Sequence, residues 1–193
     1  MEKMNNLKDL LKHELQDLHS AEDQIIAALP AMIEKATNTS LKNSLREHLR
    51  VTEKQKNRVV QILELLGEEN AGNGRKKKGI AGLFGGAQKC KGMAGIIDEG
   101  KKIMSEKMHP DVMDAAIIAS AQKVEHYEIC GYGTARSYAE ELGLQKVAEL
   151  LEQTLNEEYE ADDKLTFLAE SRINRQAEKG GRTKTGSEST RGT

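Results

Sequence analysis

Three glutamates occupy positions where the sequence predicts the buried side of a helix. Glu22, Glu125 and Glu158 each interrupt a helical repeat of apolar residues in a different segment. At about 100° per residue, each lies within roughly 30° of the centre of its apolar stripe. An ionised carboxylate in an apolar core is very costly unless it is paired, protonated or bound to a cation. Several carboxylates that meet at one level would therefore call for a metal ion.

Two further acidic residues extend this pattern. Glu128 lies one helical turn after Glu125, and Asp162 lies one turn after Glu158. Sites made of carboxylates and carbonyls favour manganese or magnesium, whereas an added imidazole favours iron. The alternative interpretation is that some of these residues lie at the edge of a stripe or pair with a basic residue of a neighbouring helix.

The composition predicts an all-α protein that positions these residues. The chain has 193 residues, two prolines, no tryptophan and 3% aromatic residues, and its length suits one domain. Helical periodicity predicts four long helices, at about residues 5–35, 41–66, 109–142 and 144–176. Tight turns near Asn38 and Gly143 would fold them into two antiparallel hairpins.

One long connection joins the two predicted hairpins. Residues 67–100 carry ten of the 17 glycines, and a short extra helix is predicted at about 93–105. Two hairpins joined by one long crossover are typical of the ferritin-like four-helix bundle. We therefore predict a ferritin-like bundle over residues 1–176, followed by a disordered polar tail over residues 177–193.

Hairpin geometry predicts that the carboxylates meet. Residues equally far from an antiparallel turn lie at the same height, so Glu125, Glu128 and Glu158 fall within about one turn of each other. By the same argument, Glu22 lies opposite residues 52–55. Inward acidic residues at mid-height are how bundle proteins hold two iron or manganese ions.

The second helix supplies the weakest part of the predicted site. Thr52 and Gln55 face inward there, whereas Glu53 is rotated by about 110° from the stripe centre. His48 also faces inward, one turn away. A hydrogen-bonded core histidine is the favoured interpretation of His48, with a metal ligand as the alternative.

Other functions find little support in the sequence. The net charge is −2, and no apolar segment is long enough for a signal peptide or a membrane span, which favours a cytoplasmic protein. Binding to nucleic acid is not expected, because the basic run at residues 75–78 is best explained as a solvated loop. Cys90 lies between two lysines, so a thiol sensor with a lowered pKa is an alternative to a plain loop cysteine.

Several segments resemble the YciF-like branch of the ferritin-like superfamily, from about residue 7 to residue 174. These include LHSAEDQIIAALPAM, KCKGMAGIIDEG, DAAIIASAQKVEHYEICGYGTARSYAEELG and LLEQTLNEEYEADDKLT. The resemblance implies a ferritin-like bundle that is often a homodimer, a candidate dinuclear metal site and a link to bacterial stress responses. The site positions that it implies are Glu22, Glu125, Glu128 and Glu158, with Asp162 adjacent.

One position departs from the family pattern. Where the family usually reads HL-x-ET-x-x-Q, this chain has Val51 in place of the glutamate. Either Glu53 takes over by a small rotation, or the site has lost a bridging ligand. We expect a stress-associated protein that binds two metal ions, iron or alternatively manganese, and reacts with oxygen or peroxide. The alternative is a non-catalytic, dimeric scaffold protein with a degraded metal site.

Overall fold

The computed structural model describes residues 4–71 and 89–180, which are helical apart from short connections. This confirms the predicted all-α class. The elements are α1 (Leu7–Lys35), α2 (Thr39–Ala71), α3 (Lys91–Ser105), α4 (Pro110–Glu141), α5 (Gln145–Leu168), a π-helical turn (Ala169–Ile173) and α6 (Asn174–Gly180).

Local sequence explains where the long helices begin and end. The Asn6 side chain accepts a hydrogen bond from the Asp9 amide at 2.9 Å and caps the start of α1. Pro110 lies in the first turn of α4, where its missing N–H leaves no helical bond unmade. Gly143 has a φ of +68°, a conformation that favours glycine and ends the helix.

The four long helices form a bundle in which every neighbouring pair is antiparallel. Hairpins α1–α2 and α4–α5 pack side by side, with α1 against α4 and α2 against α5. Hydrogen bonds from Tyr127 to Asp17 and from Thr37 to Asp114 fix the antiparallel direction of α1 and α4. Helices α2 and α4 are therefore parallel, as one long crossover requires, and the fold is a ferritin-like bundle.

Buried polar residues divide the core into two apolar clusters. One cluster contains Ile25, Leu29, Leu45 and Ile117, and the other contains Leu11. Between them, at mid-height, each long helix contributes buried polar side chains. This mid-bundle layer consists of Glu22, Thr52, Gln55, Glu125, Glu128, Thr154 and Glu158.

Several predicted boundaries differ from the structure. Helix α2 continues through Gly67 to Ala71, and the fourth predicted helix is interrupted by the π-helical turn. Helix α6 ends at Gly180, beyond the predicted start of the tail, where it packs against His109. The rest of that tail, the basic run and most of the glycine-rich crossover lie outside the described residues. None of the described helices is long and apolar enough to cross a membrane.

Candidate metal centre

Four residues from three helices converge at the height of the mid-bundle layer. Three of them are glutamates of the layer, and the fourth, His48, lies next to it. His48 of α2, Glu125 and Glu128 of α4 and Glu158 of α5 each offer one ligand atom, and these atoms all lie within 4.8 Å of one another. The three glutamates are at most 1% exposed, and the His48 side chain is 9% exposed. The predicted meeting of the α4 and α5 carboxylates is thus observed, and His48 joins them.

Glu22 lies beside this group and is fully buried. The hydroxyl of Tyr132 donates a hydrogen bond to Glu22 Oε1. Tyr132 is also fully buried and is therefore a core tyrosine bonded to a glutamate. Burial, followed by repulsion from Glu158, raises the pKa of Glu22, so Glu22 senses the charge of the converging group.

The helix α2 side of the layer is neutral. Gln55 donates to Glu158 Oε1 at 2.5 Å. Arg58 donates to Thr154 of the layer at 2.5 Å and to Glu157 at 2.8 Å. Among the described residues, no lysine or arginine forms an ion pair with the glutamates of the layer. The alternative interpretation, that these glutamates pair directly with a lysine or arginine of a neighbouring helix, is therefore wrong for the layer.

Many ligand atoms of the layer have no hydrogen-bond partner. A buried polar atom without a partner costs about 1–3 kcal/mol. His48 Nε2 lies 3.5 Å from Glu125 Oε1, outside hydrogen-bonding geometry. The unpartnered atoms are Glu22 Oε2, His48 Nε2, Gln55 Oε1, Glu125 Oε2, both carboxylate oxygens of Glu128, and Glu158 Oε2. A cation at this position would give most of them a partner.

Burial controls the protonation of the group. It raises the pKa of Glu158 to about 7. Burial, followed by repulsion from Glu158, raises the pKa values of Glu22, Glu125 and Glu128 well above their usual range. Burial also lowers the pKa of His48 to about 4, so its imidazole is neutral and can ligate a metal at neutral pH. Without a cation, the carboxyls would hold protons.

Besides Glu22, two predicted ligands lie outside the converging group. Glu53 is exposed on the outer face of α2, so the rotation that would bring it inward does not occur. Asp162 is half-buried and accepts a hydrogen bond from Gln122 at 3.0 Å. Val51 is half-buried next to His48, in the wall of an open groove of about 500 Å³ between α2 and α5.

His48 is the ligand candidate that sequence reasoning underweighted. Its helical spacing to Thr52 and Gln55 places all three on one face of α2, and that face contributes to the layer. A lone inward histidine is ambiguous in sequence, because the same position suits a hydrogen-bonded core residue. In the structure its Nε2 has no such bond.

Cys90 has neither of the roles considered from sequence. It is buried and caps α3, and its Sγ lies 3.0 Å from both Asp17 Oδ2 and the Tyr127 hydroxyl. Burial raises its pKa, so the idea of a sensor thiol with a lowered pKa is wrong. It is also not a plain loop cysteine, because it fixes the start of α3 to α1 and α4.

Comparison with known proteins places the chain in a family. The family model described as "Domain of unknown function (DUF892)" matches residues 6–178. Protein YciF of Escherichia coli (strain K12) is 38% identical over 175 residues, which cover 91% of this chain and 97% of YciF. The crystal structure of that E. coli stress protein superposes with a TM-score of 0.75 at 37% identity, covering 89% of this chain and 99% of that one. YcfI of Rhodopseudomonas palustris, for which a structural role has been proposed, gives a TM-score of 0.73 at 41% identity, covering 86% and 96%. The chain therefore belongs to the DUF892 family, in its YciF-like branch.

Proposed function

We propose that the mid-bundle layer binds two divalent metal ions, with iron as the expected metal and manganese as the alternative. The observation that carries this proposal is the set of buried ligand atoms without partners, contributed by Glu22, His48, Glu125, Glu128 and Glu158. Four carboxylates balance the charge of two divalent ions, and an imidazole among them favours iron. The residues present therefore fit a dinuclear centre.

Five side chains would hold the ions. Glu125, Glu128 and Glu158 lie with His48 in the converging group, and His48 is 3.5 Å from Glu125. Glu22 lies beside this group and would add a fourth carboxylate. Hydrogen bonds to ligands commonly orient them and tune the metal, and here Tyr132 and Gln55 provide them.

We propose that the loaded protein reacts with dioxygen or peroxide under stress. Two bound ferrous ions would supply two electrons, which with two protons from solvent suffice to reduce dioxygen to hydrogen peroxide or hydrogen peroxide to water. The chain's own contribution is a buried site with a proton on the Tyr132 hydroxyl, since burial keeps the pKa of Tyr132 well above its usual range. The description of E. coli YciF as a stress protein supports a role under stress.

Anaerobic loading with Fe(II) followed by addition of oxidant tests this function. Unbound iron is removed, limiting dioxygen or hydrogen peroxide is added, and the oxidant consumed per chain is measured. We expect about one oxidant molecule per pair of bound iron ions. A loaded protein that consumes oxidant no faster than the Glu128→Gln variant would contradict the proposal.

A second function is favoured by the neutral character of α2. Val51 stands where the family resemblance implies a carboxylate, the Thr52 hydroxyl donates to the His48 carbonyl, and the Gln55 amide donates to Glu158. The chain would then be a homodimeric, non-catalytic stress or scaffold protein with a degraded metal site. Light scattering would find the same dimer in wild type and in Glu125→Ala/Glu158→Ala. A dimer that forms only after metal loading would contradict this alternative.

A further inference from the structure

A narrow apolar cavity beneath α3 ends at the candidate metal centre. The cavity has a volume of about 30 Å³ and lies between α1, α3 and α4. Its wall includes Lys101 of α3 at one side and His48 and Glu125 at another. Since His48 and Glu125 also belong to the converging group, the cavity reaches the ligands themselves.

The lining of the cavity is almost entirely hydrocarbon. It includes Ile25, Leu29, Ile97, Met104, Ala121 and Val124. Ser120 also contributes, but its hydroxyl donates to the Ala116 carbonyl at 2.9 Å and is not available to a guest. A water molecule needs several polar partners to stay in such a space, whereas apolar cavities stay dry and take up apolar guests.

The cavity is a fixed part of the packing between α3 and its neighbours. A Cβ on Gly100 would lie 3.4 Å from the Ser120 Cβ, so α3 and α4 are in close contact there. At the start of α3, the Cys90 amide donates to Ser20 at 2.9 Å, and Gln24 donates to the Cys90 carbonyl at 3.0 Å. These contacts hold α3 over the cavity.

A second approach to the centre is wider and has a mixed lining. The open groove between α2 and α5 is about 500 Å³, and the apolar residues of its wall stand beside charged ones that include Glu160, Asp163 and Lys164. His48 lies in the walls of both spaces and separates them. A polar molecule or a hydrated ion would find partners in the groove, and a small apolar molecule would find the cavity.

We propose that the cavity beneath α3 binds dioxygen and delivers it to the metal centre, a role that rests on the proposed function. A water-sized guest needs about 10–15 Å³ of such volume, so the cavity of about 30 Å³ has room for about two molecules of this size. Dioxygen is small, neutral and without hydrogen-bond donors, as the lining requires. Hydrogen peroxide carries donors and acceptors at both ends and would not use this route. Ile97, Ala121 and Val124 would set the width of the passage.

Xenon binding to the metal-free protein tests the cavity without any reaction. Crystals pressurised with xenon should show one site among Ile97, Ala121 and Val124. The Ala121→Leu variant should lose it, whereas Ala119→Leu, the same change on the exposed face of α4, should keep it. Wild-type crystals without xenon at this position would overturn the proposal and leave the metal-binding proposal untouched.

Oxidation rates of the iron-loaded protein test delivery. In Ala121→Leu the rate with dioxygen should fall about tenfold, the factor produced by an added barrier of roughly 1.4 kcal/mol. The rate with hydrogen peroxide and the amount of bound iron should match those of Ala119→Leu. Ile97→Ala, which widens the passage, should raise the dioxygen rate.

Two outcomes separate this proposal from the proposed function. A dioxygen rate that is unchanged in a variant that excludes xenon would overturn delivery through the cavity, although the metal reaction would stand. Equal slowing with both oxidants would also overturn it.

If Ala121→Leu does not fold, Ala28→Leu on the half-buried side of α1 narrows the same cavity. A wild-type protein that binds no iron would contradict the proposed function, and the xenon result would still decide whether the cavity takes an apolar guest.

Discussion

The two sides of the mid-bundle layer differ in what they bring to it. The α4–α5 hairpin contributes three buried carboxylates, those of Glu125, Glu128 and Glu158, whereas α2 contributes the neutral His48 and Gln55. In the α1–α2 hairpin, α1 alone adds a carboxylate to the layer. The charge available to a metal ion is therefore concentrated on one hairpin, and α2 can only adjust the site.

The same contrast holds for hydrogen bonding. On α2, the Thr52 hydroxyl donates to the His48 carbonyl at 2.9 Å and Gln55 donates to Glu158. On α4, neither carboxylate oxygen of Glu128 has a partner. Buried polar groups are normally satisfied. The unpartnered atoms of α2, His48 Nε2 and Gln55 Oε1, belong to neutral side chains, whereas those of α4 are carboxylate oxygens that require protons or a cation.

Removing a carboxylate from the α4 side should have the largest effect. Metal at about 100 times its Kd should stabilise wild type by about 2.7 kcal/mol, which raises Tm by roughly 5–10 °C in a chain of this size. Glu128→Gln should show no such rise, and its metal-free form should be more stable than wild type because a buried carboxyl is replaced by a neutral group. Circular dichroism suits this measurement, since the chain has no tryptophan.

Thr52→Ser on α2 is the matched control, because it changes a buried polar residue of the same layer without removing a carboxylate. It should keep the metal-dependent rise in Tm. If Glu128→Gln and Thr52→Ser respond equally to metal, the contrast between the two sides of the layer would be contradicted.

The stability of the metal-free protein should fall as pH rises above 6.5. A carboxyl with a raised folded pKa stabilises fully below its unfolded value and loses this contribution as pH rises through the folded value. For Glu158 that pH window runs from 4.5 to about 7, and for Glu128 it also begins at 4.5 and ends well above it. His48 has the opposite effect on stability. Its contribution to the free energy of unfolding is complete above pH 6.5 and is lost as the pH falls towards 4. Above pH 6.5, therefore, the carboxyls of the layer and not His48 make the stability depend on pH.

Urea unfolding at pH 6.5 and at one pH unit above it measures this slope. The Glu128→Gln variant should show a smaller decrease than wild type. In the metal-loaded protein the slope should reverse, since ligation requires deprotonated carboxylates. A metal-free stability that rises over this interval would show that the layer does not hold protons.

Introducing a carboxylate on the α2 side of the layer should have a moderate effect on metal affinity. Val51→Glu places a carboxyl beside His48, where the resemblance of the sequence implies a glutamate, and should tighten metal binding about tenfold. It should also destabilise the metal-free protein, because another carboxylate faces the layer. Isothermal titration with Mn(II) under matched buffer measures the affinity. An unchanged Kd would mean that position 51 does not reach the site.

The smallest effect is expected at Glu53. Its side chain is exposed on α2, so Glu53→Gln should change the free energy of unfolding by less than about 0.5 kcal/mol and leave the metal Kd unchanged. The same titration and urea unfolding check this. Loss of metal binding in this variant would show that α2 rotates to bring Glu53 inward.

The fold and the carboxylates of the layer could be predicted because they leave a periodic signal. Glu22, Glu125 and Glu158 interrupt apolar stripes, and the distances to the turns at Asn38 and Gly143 fix their heights. All three are buried in the structure. Periodicity and hairpin register are sufficient for this level of detail.

Other parts of the site could not be predicted, because they depend on side-chain geometry. Whether His48 forms a core hydrogen bond or faces the ligands depends on where Glu125 lies. Asp162 shares a helix face with Glu158 but is held away by Gln122. Likewise, the capping role of Cys90 requires Asp17 and Tyr127, which are distant in sequence.

Metal stoichiometry tests the central claim most directly. Wild type and Glu125→Ala/Glu158→Ala are loaded anaerobically with iron or manganese, desalted and analysed by plasma mass spectrometry. We predict close to two ions per chain in wild type and background in the double variant. Background metal in both proteins would contradict a dinuclear centre in this bundle.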